Sequence, residues 1–240
     1  INASHQNCGK VQDAYALRCA PQVHGSAREA IAFAHRLATI EANSATDNPM
    51  VFADTGDIVS GGNFHGAPVA LAADTLTIGL VQLASISERR TDRLMTSAES
   101  GLPAFLVPDS GLNSGLMMAH VTAAALTSEL KTLAHPAAAD SIPTSAGRED
   151  HVSMSMWAAL KASRALDLAT DVLAIEILAA CQGIDLLAPL LSSPRLQNVH
   201  QLVRARVPRL LADRPPSPDI TEIAALITSG ALDAAAGMLG

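Results

Sequence analysis

The stretch that decides the fold runs from Pro68 to Ala98 and reads PVALAADTLTIGLVQLASISERRTDRLMTSA. Beyond its first residue it contains no helix breaker except Gly79, so it predicts one helix of about thirty residues, roughly 45 Å long at ~1.5 Å per residue. The first half is apolar on nearly every side, which predicts that other helices enclose it. The second half contains the charged run from Glu88 to Arg93 and is expected to reach solvent.

Helical spacing of apolar residues recurs on both sides of this stretch. Ser26 and Glu29 form a capping-box pattern, which predicts that a helix begins at Ser26 and ends before Asn48-Pro49. A short extended piece is expected at 50–52. Further helices are predicted over 113–133, 150–181, 195–206 and 219–237. The sequence therefore predicts an all-α bundle of long helices, and its surplus of apolar helix surface predicts an oligomer.

Composition limits the function classes. Apolar residues make up 49% of the chain and aromatic residues only 2%, a balance that favours helix over strand. The 23 acidic and 16 basic residues give a net charge of −7, which argues against a nucleic-acid partner. The three cysteines (Cys8, Cys19 and Cys181) have no metal-type spacing and fit a reduced, cytoplasmic protein.

Targeting, membrane and metal patterns are also missing from the sequence. The first residues lack the basic and apolar regions of a signal peptide. Acidic and amide side chains interrupt the most apolar stretches, so we expect buried helices and no membrane span. The eight histidines are scattered without a metal-binding spacing, and no metal site is expected.

Two polar clusters lie in the first seventy residues. Gln12, Tyr15 and Arg18 are three residues apart and would share one face of a helix. A phenol can donate or accept a proton, and a guanidinium binds a carboxylate with two hydrogen bonds; on spacing alone, a surface turn is the simpler interpretation. The glycine-rich run at 60–66, which includes Phe64, fits either an anion cradle or, more simply, a flexible turn.

Two more clusters adjoin predicted helix starts. In the segment 111–115, Asn113 or Ser114 is expected to cap a helix. In the segment 145–154, Glu149 and Asp150 are expected at a helix N-terminus, where the helix dipole favours them. A carboxylate in that position could instead perform acid–base work or bind a cationic ring.

Taken in order, these clusters resemble the aromatic amino acid ammonia-lyases. The matching motifs are QDAYALRC (12–19), PQV (21–23), SATDNP (44–49), GGNFHG (61–66), SERR (87–90), GLP (101–103), GLNSG (111–115) and EDHVSM (149–154). The last motif is most similar to that of the histidine-specific enzymes, because the phenylalanine and tyrosine enzymes typically carry Gln where Glu149 stands. A carboxylate can accept a hydrogen bond from imidazole, whereas a phenyl ring would leave it desolvated and unpaired.

The resemblance implies a helix bundle of the ammonia-lyase/fumarase-like type. It implies a homotetramer whose active sites combine several subunits, with residues 1–240 as the C-terminal helical portion and the N-terminal portion absent. The family's cofactor is an electrophilic 4-methylidene-imidazol-5-one formed from an Ala-Ser-Gly triplet, which these 240 residues do not contain. The implied reaction is loss of ammonia from L-histidine to give urocanate, with this chain supplying part of the site and inactive alone.

The motifs also imply roles for five residues. Tyr15 would be catalytic, beside the amine and the electrophile. Arg18 would bind the substrate carboxylate, Gln12 would help to hold the substrate, and Glu149 would meet the imidazole ring. Phe64 would contact both the substrate and the cofactor.

The sequence departs from the family pattern in two places. Gly147-Arg148 replaces an Asn-Gln pair before Glu149, so Arg148 is expected to pair with that carboxylate, and Ala67 replaces a Glu. Two alternative functions stay open at this stage. One is a lyase or 2,3-aminomutase for phenylalanine or tyrosine, and the other is a non-catalytic helical scaffold.

Overall fold

Long helices that run alongside one another dominate the computed structural model, which describes Gly9 and residues 11–238. The helices are α1 (Tyr15–Arg18), α2 (Ala20–Ala42), α3 (Ala67–Met95), α4 (Ser97–Ser100), α5 (Met117–Leu133), α6 (Ser155–Leu186), α7 (Pro194–Arg204), α8 (Ser217–Thr228) and α9 (Ala231–Ala235). The strands β1 (Met50–Phe52) and β2 (Asp57–Val59) form one antiparallel hairpin. The predicted all-α, long-helix class is confirmed, while Cys8 lies outside the described residues.

Helix α3 is the centre of the bundle and packs against α2, α5 and α6. Small side chains allow it to approach α2 closely. A Cβ atom added at Gly79 would lie only 2.7 Å from the Cβ of Ala30, and Ala27 is also within contact distance. The glycine within the long apolar stretch is therefore explained by close packing of two helices.

Helices α3 and α6 run parallel to each other. Asp74 of α3 pairs with Lys161 of α6, and farther along both helices Arg90 pairs with Glu176. An apolar cluster fills the space between α3, α5 and α6. Its buried members are Leu80, Ala84, Leu130, Ala165, Leu168, Ala169 and Val172.

The charged half of α3 does not reach solvent as a whole, and this expectation is wrong for two of its residues. Glu88 is buried and pairs with Arg89 at 2.5 Å. Arg90 is mostly covered and donates two hydrogen bonds to Glu176, whose Oε2 also accepts one from Ser87 at 2.6 Å. Glu176 on α6 neutralises Arg90, and the neighbouring Arg89 neutralises Glu88, so these groups can stay inside the bundle.

Two predicted helix starts are wrong. Helix α2 begins at Ala20 with Pro21 in its first turn, so Ser26 is inside the helix and does not cap it. Proline is favoured at this position because its φ is preset and its missing N–H has no partner to lose. Helix α6 begins at Ser155, not at Asp150, so the helix dipole does not explain the acidic pair before it.

The 111–115 segment does not cap helix α5 with its own side chains. Helix α5 begins at Met117, and the backbone N–H groups of Ser114 and Gly115 donate to the Asp213 carboxylate at 2.9 and 2.8 Å. Asn113 uses its side-chain oxygen to accept a hydrogen bond from the backbone of Asp213. A distant carboxylate thus holds this segment, and that tertiary contact replaces the predicted local cap.

One segment of the described chain, Asn63–Met95, is long and apolar enough to cross a membrane by length and composition. Half of its most apolar window is buried inside the fold. Helix α3, which makes up most of this segment, packs on three sides against α2, α5 and α6. This packing explains why the helix is apolar, because a core helix contacts other helices on several sides.

Candidate functional site

Phe64 and Glu149 are brought to the same end of the bundle, the end where α3 begins. Phe64 lies in a single 3₁₀ turn (Asn63–His65) just before α3. The neighbouring His65 donates from Nε2 to the carbonyl oxygen of His151 at 2.8 Å, and the two imidazole rings stack with their centroids 5.8 Å apart. Since Glu149 is two residues before His151, this contact ties the two predicted site residues to one region.

Glu149 lies in the loop before α6, where two hydroxyl groups bind its carboxylate. Thr144 and Ser145 both donate to Oε2, the latter at 2.7 Å. These two bonds, with that of Thr144 the stronger influence, hold the pKa of the Glu149 carboxyl below its usual value. The side chain is exposed and ionised at neutral pH, so it can accept a hydrogen bond from a ligand.

The expected pairing of Arg148 with Glu149 is not observed. No ion pair between described residues joins these two side chains. The hydroxyl groups of Thr144 and Ser145 occupy the position beside the carboxylate instead. The substitution of Arg in this motif therefore leaves Glu149 free of a neutralising cation.

Tyr15 and Arg18 lie together on the short helix α1, which precedes α2. The guanidinium of Arg18 stands over the Tyr15 ring, with Cζ 4.7 Å from the ring centroid, and its Nε donates to the carbonyl of Asp13. The Tyr15 side chain is 70% exposed. A phenol and a cation are thus presented side by side to whatever packs on this surface.

Gln12 lies ahead of α1 in non-helical chain, so the predicted shared helix face holds only for Tyr15 and Arg18. Gln12 lines an open cleft of about 610 Å³, together with the end of α3 and the start of α4. Arg93 and Glu99, which pair at 2.6 Å, form part of the opposite wall of this cleft. Gln12 therefore lies at the end of α3 that is far from Phe64.

The five predicted site residues form two groups at opposite ends of α3. Helix α3 contains 29 residues, which corresponds to about 43 Å at ~1.5 Å per residue. Gln12, Tyr15 and Arg18 lie near its C-terminal end, and Phe64 and Glu149 lie near its N-terminal end. One copy of the chain cannot bring both groups to one small substrate.

A cavity of about 740 Å³ opens beside Phe64, between α2, α3 and α6. Its walls are almost entirely apolar, with His35, Glu41 and Thr46 as the polar exceptions. The Phe64 ring lines this cavity and is still 55% exposed. The ring is therefore presented on an open surface next to apolar space.

The glycine-rich run at 60–66 is held by protein side chains. The side-chain oxygen of Asn48 accepts hydrogen bonds from the hydroxyl of Ser60 and the backbone of Gly61, both at 3.1 Å. Gly66 ends the run with φ +77°, and a Cβ atom there would lie 2.9 Å from the hydroxyl of Ser155. The run is thus a turn that places Phe64, but protein contacts fix it, so it is not the flexible turn that the sequence analysis favoured.

Thr144 is a residue that the sequence analysis missed. Nothing in local spacing singles it out, because it is five residues before Glu149 and the sequence does not predict the 3₁₀ turn (Ser145–Gly147) that lies between them. The relevant signal is a pair of adjacent hydroxyl residues at 144 and 145, a short distance ahead of an acidic residue.

Comparison with known proteins identifies the class. The family model for aromatic amino acid lyases matches residues 1–205, so the chain belongs to the aromatic amino acid lyase family. The resemblance of the sequence motifs to this family is thereby confirmed.

Similar proteins include histidine ammonia-lyases and a tyrosine aminomutase. The chain is 56% identical over 232 residues to a histidine ammonia-lyase of Myxococcus xanthus, covering 97% of this chain and 46% of that relative. The crystal structure of histidine ammonia-lyase from Trypanosoma cruzi has a TM-score of 0.90 at 51% identity, with 94% of this chain and 45% of that one covered. The tyrosine aminomutase from Streptomyces globisporus has a TM-score of 0.86 at 37% identity, covering 98% of this chain and 46% of that structure. The chain spans about half the length of these relatives.

Proposed function

We propose that this chain supplies part of the active site of an enzyme that eliminates ammonia from L-histidine to give urocanate. The observation that carries the proposal is the ionised, exposed carboxylate of Glu149, which is fixed close to the Phe64 turn. An imidazole ring offers an N–H donor to such a carboxylate, whereas a phenyl ring offers none. The 56% identity to a histidine ammonia-lyase supports the same substrate.

The groups at the two ends of α3 have complementary chemistry. Arg18 carries a planar guanidinium that suits the carboxylate of an amino acid, and Tyr15 next to it can exchange a proton with the substrate. Gln12 lies in the chain just ahead of them and would add a hydrogen bond. Glu149 would orient the ring, with Phe64 as the apolar wall.

The residues present fit the cofactor that the family implies, a 4-methylidene-imidazol-5-one. Phe64 and Tyr15 present exposed aromatic rings that pack little against their own chain, and a planar conjugated group can stack on such rings. That cofactor supplies an electrophile that makes ammonia a better leaving group. Its parent Ala-Ser-Gly triplet is not in these 240 residues, so we propose that it comes from a portion of the protein outside this chain.

The geometry supports an assembly of several copies, and we propose the homotetramer that the family implies. Because about 43 Å of helix separates the two groups, a complete site needs the Tyr15 end of one copy and the Glu149 end of another. The partners are therefore further copies, the portion outside this chain and a small amino acid. We also propose a cytoplasmic location, because the chain shows no disulfide-type cysteine pattern.

The test uses a completed protein, in which the part of the Myxococcus xanthus relative that this chain does not cover is joined upstream of Ile1. We expect urocanate to form from L-histidine, with no acrylate or β-amino acid from phenylalanine or tyrosine. The isolated chain should form no urocanate. Turnover of phenylalanine or tyrosine in preference to histidine would support the aminomutase or lyase alternative, and a folded but inactive completed protein would support the scaffold.

A mixing experiment tests the shared site. Tyr15→Phe should lower kcat by roughly 10²–10⁴-fold, as expected for loss of a proton-transfer group, and Glu149→Gln should most affect histidine turnover. Co-expression of the two variants should restore about a quarter of wild-type activity. In a random assembly, about a quarter of the sites receive an intact Tyr15 from one copy and an intact Glu149 from another. If the mixture stays as inactive as its components, the two groups do not belong to different copies.

A further inference from the structure

The Glu149 carboxylate is bound through only one of its two oxygens. Thr144 Oγ1 and Ser145 Oγ both donate to Oε2. No described residue donates a hydrogen bond to Oε1. The side chain is thus anchored on one side and open on the other.

We propose that Thr144 and Ser145 are positioning residues, which hold Oε2 of Glu149 so that Oε1 accepts a hydrogen bond from the ring N–H of an imidazole substrate. This proposal rests on the function proposed above and adds the means by which the ring is selected. Two hydroxyl donors restrict the three rotatable bonds of the glutamate before the substrate arrives, so less conformational entropy is lost on binding. The anchored carboxylate is also kept in its charged form, the better acceptor.

The backbone around the two hydroxyl groups is strained, which supports a functional role. Ser145 has φ 52° and Ala146 has φ 55°, both in the left-handed region that residues with a Cβ atom avoid. The following Gly147, with φ 80°, tolerates this region. The left-handed turn folds residues 144 and 145 back towards Glu149, and such strain is typical of sites where geometry matters more than stability.

The ends of this loop are fixed on both sides. The backbone N–H of Thr144 donates to the carbonyl of Glu149 at 2.9 Å, which closes the loop on itself. After Glu149, the backbone of Val152 binds the Ser141 hydroxyl at 2.7 Å, and His151 stacks on His65. The turn that presents Glu149 is therefore closed by its own hydrogen bonds and tied to the 3₁₀ turn that precedes α3.

Few charges face the carboxylate. Arg148 and Asp150 are its chain neighbours, and His151 with His65 forms the nearest packed pair of titratable rings. None of these side chains forms an ion pair with Glu149 among the described residues. The two hydroxyl groups are thus the contacts that distinguish this carboxylate from an ordinary exposed glutamate.

The first experiment measures the contact itself. The pKa of the Glu149 carboxyl is followed by ¹³C NMR titration in the 240-residue chain, in wild type and in the double variant Thr144→Val, Ser145→Ala. We expect a value below the ordinary glutamate range in wild type and a rise towards it in the variant, because both donors are removed. Thr122→Val removes a comparable exposed hydroxyl in α5 and serves as the control, with no expected change at Glu149.

The second experiment measures kinetics in the completed protein. The double variant should lose about ten- to a hundredfold in kcat/KM for L-histidine, the range expected when hydrogen bonds to a charged group are lost. Its acid limb of kcat/KM should move to higher pH, since a larger fraction of Glu149 is then protonated. Thr144→Ser, which keeps the hydroxyl, should retain most of the activity.

The outcomes separate positioning from simple structural support. In a Glu149→Gln background, Thr144→Val should have little further effect, because the group it orients is already changed. The proposal is overturned if the NMR titration shows no rise in the pKa of Glu149, or if Thr144→Val costs as much in the Glu149→Gln background as in the wild-type protein. Absence of histidine turnover in the wild-type completed protein would refute the proposed function, while the titration would still decide the role of the hydroxyl groups.

Discussion

Replacement of Lys161 by Met should destabilise the chain far more than replacement of an exposed charged residue on the same helix. Lys161 and Asp74 form the most buried ion pair between described residues, with side chains 6% and 4% exposed and Nζ 3.2 Å from Oδ1. The ammonium also donates to the carbonyl of His135, and Ala138 donates its N–H to Oδ2 of Asp74 at 2.8 Å. The pair thus joins α3, α6 and the turn after α5.

The magnitude follows from what is left behind. Without Lys161, the Asp74 carboxylate stays buried with one N–H donor and no counter-charge, a change that typically costs about 3–5 kcal/mol. For a chain of this size each kcal/mol lowers Tm by roughly 2–4 °C, so a fall of about 10 °C is expected. A second change, Asp74→Asn, removes the uncompensated charge and keeps an acceptor for Ala138, so the double variant should regain part of the loss.

Thermal and urea unfolding, followed by circular dichroism, measure this effect. The matched control is Arg164→Met, one turn farther along the same helix, where the pair with Glu129 has side chains 53% and 44% exposed. An exposed pair of this kind contributes about 0–1 kcal/mol. If Lys161→Met lowers stability no more than Arg164→Met, then burial does not set the strength of these pairs and the reasoning is wrong.

Other predictions can be measured by the same unfolding assays or by thiol labelling. Gly115→Ala should destabilise the fold by about 2 kcal/mol or more, because φ is +58° and the new Cβ atom would lie 2.6 Å from a backbone oxygen. The control Gly62→Ala, which has open space around it, should cause only a small loss of stability. Asp213→Ala should cost about 1–3 kcal/mol in urea unfolding, since it leaves two backbone N–H groups without their acceptor; a neutral result would mean that water replaces it. Burial raises the pKa of the Cys181 thiol from 9.0 to about 11, so this thiol should resist labelling at pH 8 until the chain unfolds. As the pH rises from 9 to 11, the thiol ionises in the unfolded chain but stays protonated in the folded chain, so the free energy of unfolding should fall over this range.

The long helices could be predicted from the sequence, but several of their ends could not. Helix α3 was predicted over Pro68–Ala98 and extends over Ala67–Met95, because a long apolar run without breakers leaves few alternatives. The segment just before α5 is held by the side chain of Asp213, which is almost one hundred residues farther along the chain. Local patterns cannot contain that contact, and so the predicted cap at 113–114 was wrong.

The candidate site shows the same division between local and distant information. The order of motifs identified the family, which comparison with relatives confirmed. The hydroxyl contacts of Glu149 were missed because they need left-handed backbone at Ser145 and Ala146, a conformation that neither residue type favours. The burial of Glu88 was also missed, since it depends on the packing of α5 on α3, which brings His120 to the Glu88 carboxylate.

If copies of the chain share a site, as proposed above, the length of α3 constrains how they associate. A rigid helix keeps its two ends about 43 Å apart, so for two α3 helices that lie side by side, an antiparallel arrangement brings the Tyr15 group of one copy to the Glu149 group of the other. A parallel side-by-side arrangement without stagger would bring like ends together and would leave the proposed shared sites incomplete. The outer faces of the central helices carry exposed apolar side chains, among them Leu71, Ile78 and Trp157, which a partner helix can cover. In the proposed assembly, the helix that organises the core of one chain therefore also sets the orientation of the second chain.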